Sequence, residues 1–394
     1  MTRLSKTTRG VLLVLWTLAW SALVVEFGVR VYFSVRVGPD VLLWGTTWHR
    51  DRARQRFMRG QNVFAHDNAR PGYSKYFPGQ ERVDVDSTGT PFTVAINRQG
   101  FRGRDYPFEK PTATLRVVAL GASSTFGFGN REDETYPYAL EDLLNERLRG
   151  APCGGYEAAE VINLGIPHLD SVALGELFAA EGQTYQPDVV TVYSGYNNTL
   201  GLGQGAILKG LSRYSLALNF LRVARRQSAS FSESQLTAEE DRRTRAFVGG
   251  LDRILEVARQ QGVAVLPITQ QVRALPAQTV RELQLGYEEE MELLERRLRV
   301  DGEIPLLEGK VLIHRSFTRA LRHWARENRL QLVDGIEVLD GHRYLLTTYV
   351  HLAPLANELL ALAIADGLAR RLGCPQLATV GLTGKTIGSD PTSS

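Results

Sequence analysis

The sequence predicts an α/β fold: a parallel sheet with helices on both faces, preceded by one membrane-spanning helix. Three observations carry that expectation. Short apolar runs at 115–120, 160–163, 188–193, 263–268 and 330–333 alternate with stretches of helical periodicity, the pattern of strands joined by helical crossovers. A charge-free run, Gly10-Val11-Leu12-Leu13 onward to Val25, stands near the start. The 394 residues, 43% hydrophobic and 23% charged, have an ordinary globular composition, which excludes a mostly disordered chain. Two cysteines, Cys153 and Cys374, are too few for a four-thiolate zinc site or a disulfide-dense scaffold. A net charge of +3 without a long Lys/Arg cluster argues against nucleic acid as a partner.

The first element is residues 10–34. As a helix, 10–33 would reach roughly 36 Å, enough for a hydrocarbon core of about 30 Å. Arg3, Lys6 and Arg9 precede it, so residues 1–9 are expected in the cytoplasm and the lipid bilayer is a partner through 10–34; Arg30 and Arg36 weaken that bias. Glu26 and Arg30 share a helix face, placed to pair or to let Arg30 reach the headgroups. The alternative is a cleaved signal peptide, with Ala19-Trp20-Ser21 as a small-x-small site inside the apolar run. Residues after about 35 are expected outside the cytoplasmic membrane. There Cys153 and Cys374, each following a predicted helix, are placed either to form a disulfide or to remain buried thiols.

Residues 35–110 read as a membrane-proximal irregular segment with a hairpin, 82–86 with 92–97, turned at Ser87-Thr88-Gly89-Thr90. Its Trp44, Trp48, Tyr73, Tyr76 and Phe77 suit a sugar-binding surface, the bilayer interface or a local core. The main domain spans 111–375. Helices are expected over 134–149, stopped by Gly150, and over 171–181. A third starts at a Thr237/Glu240 capping box and runs to about Gln261, and the last covers 355–372, ending at Gly373. A helical insertion at about 201–250, with Arg222, Arg225, Arg226 and charges from Glu239 to Arg243, reads as a mobile lid or as a solvated charged face. His314 and His323 share a helix with Arg315, Arg319 and Arg322 but lack ligand spacing, so no metal and no cofactor are expected. Residues 376–394 read as a flexible tail.

In such sheets the working residues lie at the carboxyl ends of the strands. The first strand ends in Gly121-Ala122-Ser123-Ser124-Thr125-Phe126-Gly127, the second in Asn163-Leu164-Gly165, the third in Ser194-Gly195-Tyr196-Asn197-Asn198. Val350-His351-Leu352-Ala353-Pro354 opens the last helix. A serine at a glycine-flanked strand end exposes its hydroxyl, and a histidine on another loop can deprotonate it. The Ser123 and Gly165 backbone N–H groups and the Asn197 amide are candidate oxyanion donors. His168 falls near the rim, as a substrate contact or a surface histidine. The arrangement suits acyl transfer from an ester.

These blocks resemble those of the SGNH (GDSL-type) hydrolase family. Gly121-Ala122-Ser123 stands for the Gly-Asp-Ser block, Gly165 and Gly195-Tyr196-Asn197-Asn198 for the second and third, and Thr348-Tyr349-Val350-His351 for Asp-x-x-His. Ile96-Asn97-Arg98-Gln99-Gly100-Phe101-Arg102-Gly103 is similar to a stretch of bacterial membrane-anchored members, many associated with acylation or deacylation of cell-surface polysaccharide. The resemblance covers roughly 95–372. It implies a flavodoxin-like SGNH fold, Ser123 and His351 as the catalytic pair, and a single-pass protein of the bacterial inner membrane with its domain in the periplasm. The implied activity is a serine esterase or O-acyltransferase acting on O-acyl groups, acetyl first among them, of an envelope or exported glycan, with an envelope or export complex as a candidate partner. Ala122 and Asn198 depart from the pattern without touching the serine, the histidine or Asn197. Thr348 departs more seriously, because it stands where the histidine-orienting carboxylate belongs. Either the 348 backbone carbonyl orients the ring, or Asp340 or Asp334 supplies the acid, or the site is dead and the protein binds glycan or scaffolds a complex. A lysophospholipase or thioesterase is the further alternative, favoured by proximity to the bilayer.

Overall fold

The computed structural model of the chain describes residues 6–37, 66–67, 72–86, 89–202, 215–218 and 229–378. Helix α1 (Lys6–Val37) contains a 23-residue stretch, Gly10–Tyr32, long and apolar enough to cross a membrane. None of its most apolar window is buried within the protein, as expected of a helix that is apolar all round and faces lipid. Of the two fates foreseen for Arg30, the structure takes pairing: its Nε donates to Glu26 Oε1 at 2.8 Å. The same carboxylate accepts from Ser215 Oγ at 2.6 Å and from the Leu216 and Ala217 N–H groups at 3.1 Å each. Part of the 201–250 connection thus sits against α1; its residues 203–214 and 219–228, with Arg222, Arg225 and Arg226, lie outside the described residues. So do Trp44, Trp48 and residues 379–394 of the tail.

Before the main sheet come β1 (His66–Asp67) paired with β2 (Lys75–Tyr76), and the hairpin of β3 (Glu81–Val85) and β4 (Pro91–Ala95). The hairpin is the expected one, shifted by about a residue. Tyr73, Tyr76, Phe92, Val94, Ile96 and Phe101 are buried in one cluster with Phe126 and Leu164, so residues 72–103 share the core of the main domain. Tyr73 and Tyr76 are therefore core, whereas Phe77 is exposed.

The central sheet holds β5 (Thr114–Gly121), β6 (Ala158–Gly165), β7 (Val189–Tyr193) and β9 (Ala264–Ile268), all parallel, in the order β6-β5-β7-β9. That is the flavodoxin-like order 2-1-3-4. The fifth run, 330–333, contributes a single bridge, Val333 to Ile268. Side chains alternate along β5: Leu115, Val117 and Ala119 face one core, Val118 and Leu120 the other, because successive residues of a strand point to opposite faces. The first face is covered by α3 (Tyr136–Gly150) and, late in the chain, the final helix Pro354–Leu372; the second by α4 (Ser171–Ala180) and α5 (Glu233–Gln260). Helix α2 (Ser123–Phe126) is the short turn leaving β5.

The α5 helix starts earlier than expected. A short strand β8 (Ser230–Ser232) pairs with β10 (Glu303–Pro305), and Ser232 with Gln235 forms the capping box. Thr237 lies inside the helix, its hydroxyl donating to Glu233 O at 3.0 Å. Further along are α6 (Ala277–Glu282), α7 (Tyr287–Asp301), α8 (Leu306–Glu327), α9 (Gly335–Leu339) and α10 (Pro354–Leu372). Cys153, after α3, and Cys374, after α10, form a disulfide with their Cα atoms 5.7 Å apart.

Candidate active site

The serine is placed by two glycines that have no room to be anything else. Gly121 and Gly165 are register partners across β5 and β6. A Cβ on Gly165 would lie 2.1 Å from Phe126 N, and one on Gly121 2.0 Å from Thr125 Oγ1. Their bare backbones let α2 fold back over the strand ends, leaving Ser123 half-buried at the carboxyl edge of the sheet.

The histidine loop is held from the serine side. Ser124 Oγ donates to Val350 O, and Asn130 Nδ2 to Leu352 O, both at 2.9 Å and both buried. These bonds grip the carbonyls on either side of His351. The Phe128 ring stacks on the imidazole, with centroids 4.7 Å apart. So held, His351 Nε2 lies 2.8 Å from Ser123 Oγ, the separation a general base needs.

On the other nitrogen stands a hydroxyl. Thr348 Oγ1 is 3.0 Å from His351 Nδ1, so the group facing the ring is the Thr348 side chain and not its backbone carbonyl. The proposed substitute acids are both committed elsewhere. Asp334 accepts from Thr269 Oγ1 at 2.7 Å and from Arg322 at 2.8 Å, and it caps α9. Asp340 accepts from the Tyr287 N–H at 2.7 Å. Among the described residues, then, the imidazole has no carboxylate partner. Burial pushes its pKa down to about 4, with the nearby His168 adding to the effect. His168 itself is exposed at the rim, in a left-handed backbone conformation of φ 72°.

The three expected oxyanion donors fare differently. The Gly165 N–H donates to Asn163 Oδ1 at 2.9 Å; its one proton is spent, and Gly165 serves the site through its missing side chain instead. Asn197 gives one amide proton to Leu169 O at 2.9 Å and keeps a second, since a primary amide carries two. The Ser123 N–H heads the first turn of α2. Asn198, in place of an aspartate, is structural: it accepts from Ser171 N at 3.1 Å and donates to Ser171 Oγ at 2.9 Å. His314 is fully buried behind this turn, where burial pushes its pKa down to about 3. His323 is exposed and 3.1 Å from Glu327.

Sequence reasoning missed Ser124, Phe128, Asn130 and Tyr349. Tyr349 and Phe128 are 38% and 40% exposed, and Tyr349 packs on Tyr196 with ring centroids 4.8 Å apart, so aromatic faces flank the pair. Ser124 and Tyr349 stand inside the quoted blocks, whereas Phe128 and Asn130 follow just after the first, with nothing local to mark whom they contact.

No family model matches the chain, and no curated protein matches it. Among solved structures, a carbohydrate acetylesterase from Sinorhizobium meliloti is 11% identical, with 65% of this chain and 99% of that one covered, at a TM-score of 0.40. A lipolytic protein of the G-D-S-L family from Desulfitobacterium hafniense is 13% identical over 64% of this chain and 99% of that one, at 0.39. An acetyl xylan esterase is 16% identical over 64% and 98%, at 0.38.

Proposed function

We propose that this chain is a membrane-anchored Ser–His esterase or acyltransferase of the SGNH type, acting outside the cytoplasm on small O-acyl groups of a glycan. The observation that carries the reading is the 2.8 Å approach of His351 Nε2 to Ser123 Oγ at the carboxyl edge of a parallel sheet. In the reaction, Ser123 Oγ attacks the acyl carbon while His351 takes its proton. The Ser123 N–H and the second Asn197 amide proton receive the oxyanion. His351 then delivers the proton to the departing alcohol, and water or a second hydroxyl takes the acyl group from the serine. Exposed Phe128 and Tyr349 offer flat apolar faces of the kind that stack on a sugar ring. The apolar α1 and the Cys153–Cys374 disulfide support an anchored location in an oxidising compartment.

The test is fluorophosphonate labelling of the full-length chain in detergent micelles, beside Ser123→Ala and His351→Ala, with folding checked by circular dichroism. The expected result is labelling of the wild type that both variants lose, together with hydrolysis of acetyl esters. Preference for long acyl chains would favour the lipid-directed reading. A folded wild type that neither labels nor hydrolyses would support the binding or scaffold reading that Thr348 favours.

A further inference from the structure

The stretch 96–103, singled out in the sequence, has a physical purpose that the site alone does not reveal. Asn97 Oδ1 accepts from the Gln99 and Phe101 N–H groups at 3.0 and 2.9 Å, folding the loop tightly after β4. Phe101 is buried beneath the Lys75 ammonium, 4.9 Å from its ring centroid. The outcome is that Arg102, 2% exposed, reaches across to the loop that follows Ser123. Its guanidinium donates to Phe126 O at 2.9 Å, Gly127 O at 2.7 Å and Asn130 O at 2.6 Å, and lies over the Phe126 ring at 5.1 Å. Among the described residues no carboxylate bonds it, and its acceptors are all backbone carbonyls of one loop.

We propose that Arg102 is a positioning residue for the Ser123–His351 pair. It clamps residues 126–130 at both ends. Between those ends Phe128 stacks on the imidazole, and Asn130, whose carbonyl Arg102 holds, grips Leu352 O beside it. Three charge-assisted bonds from one planar fork fix that loop more tightly than single neutral bonds would. The hairpin segment is therefore part of the working site. The inference rests on the esterase reading only for its kinetic readout.

The test compares Arg102→Met and Arg102→Lys with Arg116→Met in the full-length chain. Arg116 is an equally buried arginine at the far end of β5, held by Glu160 and the Tyr185 carbonyl. Each variant is measured for thermal unfolding, for kcat and KM on p-nitrophenyl acetate, and for the His351 titration by NMR, assigned through His351→Gln. Arg102→Met is expected to lower kcat about 100-fold per folded molecule with KM little changed. Its His351 midpoint should move up from about 4 towards the ordinary 6.5 as the ring loosens into solvent. Arg102→Lys should recover part of both. Arg116→Met should lose stability with kcat and titration intact. An unchanged kcat and His351 titration in folded Arg102→Met overturns the proposal. If Arg102→Met does not fold, the same two readings on Arg102→Lys decide: a shift in both supports it, and wild-type values overturn it. If the wild type is inactive the esterase reading fails, and the titration alone still judges the clamp.

Discussion

Thr348 decides what His351 can do. A hydroxyl has one proton and two lone pairs, and Thr348 Oγ1 already faces the N–H groups of Val350 and His351 at 3.3 and 3.2 Å. When its proton goes to Nδ1, the imidazole proton sits on Nε2, pointing at Ser123. That tautomer cannot accept the serine proton. Only when Nδ1–H donates to Oγ1 is Nε2 a base. A carboxylate never donates, so it holds the productive tautomer and stabilises the imidazolium as well; replacing it by an amide in a working triad costs about 10⁴ in kcat. Thr348→Asp is accordingly expected to raise kcat on an acetyl ester by at least tenfold, as a fraction of that roughly 10⁴. The pH profile gives the companion reading. His351 is neutral above about 4, so wild-type kcat/KM should rise through that pH and run flat through about 6.5. In Thr348→Asp the rise should move to higher pH, because a nearby negative charge favours the imidazolium. No gain in kcat and an unmoved profile would mean that the hydroxyl already suffices.

Among the elements, the contact of α2 with β6 is the least forgiving. Gly165→Ala puts a methyl 2.1 Å from Phe126 N, against backbone that has nowhere to go. The turn must shift, and Ser123 with it. The expected outcome is a stability loss of about 1–3 kcal/mol, the usual cost of overpacking, and a fall in kcat of about 100-fold. Urea unfolding and acetyl-ester kinetics check the two, and wild-type kcat in a folded Gly165→Ala would show that the turn tolerates displacement. This element pair was legible in the sequence because apolar runs mark strands, and chemistry in a parallel sheet collects at their carboxyl ends. Ser123 and His351, which the structure brings together, were picked out that way. Much of what escaped depends on distant partners, and the Gly165 N–H is the exception. The Gly165 N–H was expected to face substrate, but Asn163, two residues back, takes it. Ser124 and Asn130 meet carbonyls more than 200 residues away, and Arg102 meets its carbonyls from an earlier hairpin; no local pattern encodes such contacts. The start of α5 was misplaced for a plainer reason: Ser232/Gln235 and Thr237/Glu240 both satisfy the capping pattern, and pairing of β8 with β10 selects the first.

For the whole molecule, the disulfide is the strongest covalent constraint. Cys153 and Cys374 lie 221 residues apart in sequence, and closing so long a loop removes much entropy from the unfolded chain, roughly 5 kcal/mol in the simple chain-entropy model. Cys153→Ser with Cys374→Ser should lower the midpoint of thermal unfolding by several degrees, and dithiothreitol should do the same to the wild type. An unmoved midpoint in both would show that packing of α3 on α10 suffices. The bond also divides the site in a way the fold does not advertise. His351, Gly165 and Asn197 lie inside the covalent ring it closes, whereas Ser123 lies on the open strand before it. A protease that cuts once anywhere within the ring therefore frees no fragment. The two pieces remain one molecule, the histidine stays tethered to the serine, and a nick severs the polypeptide without parting the two residues.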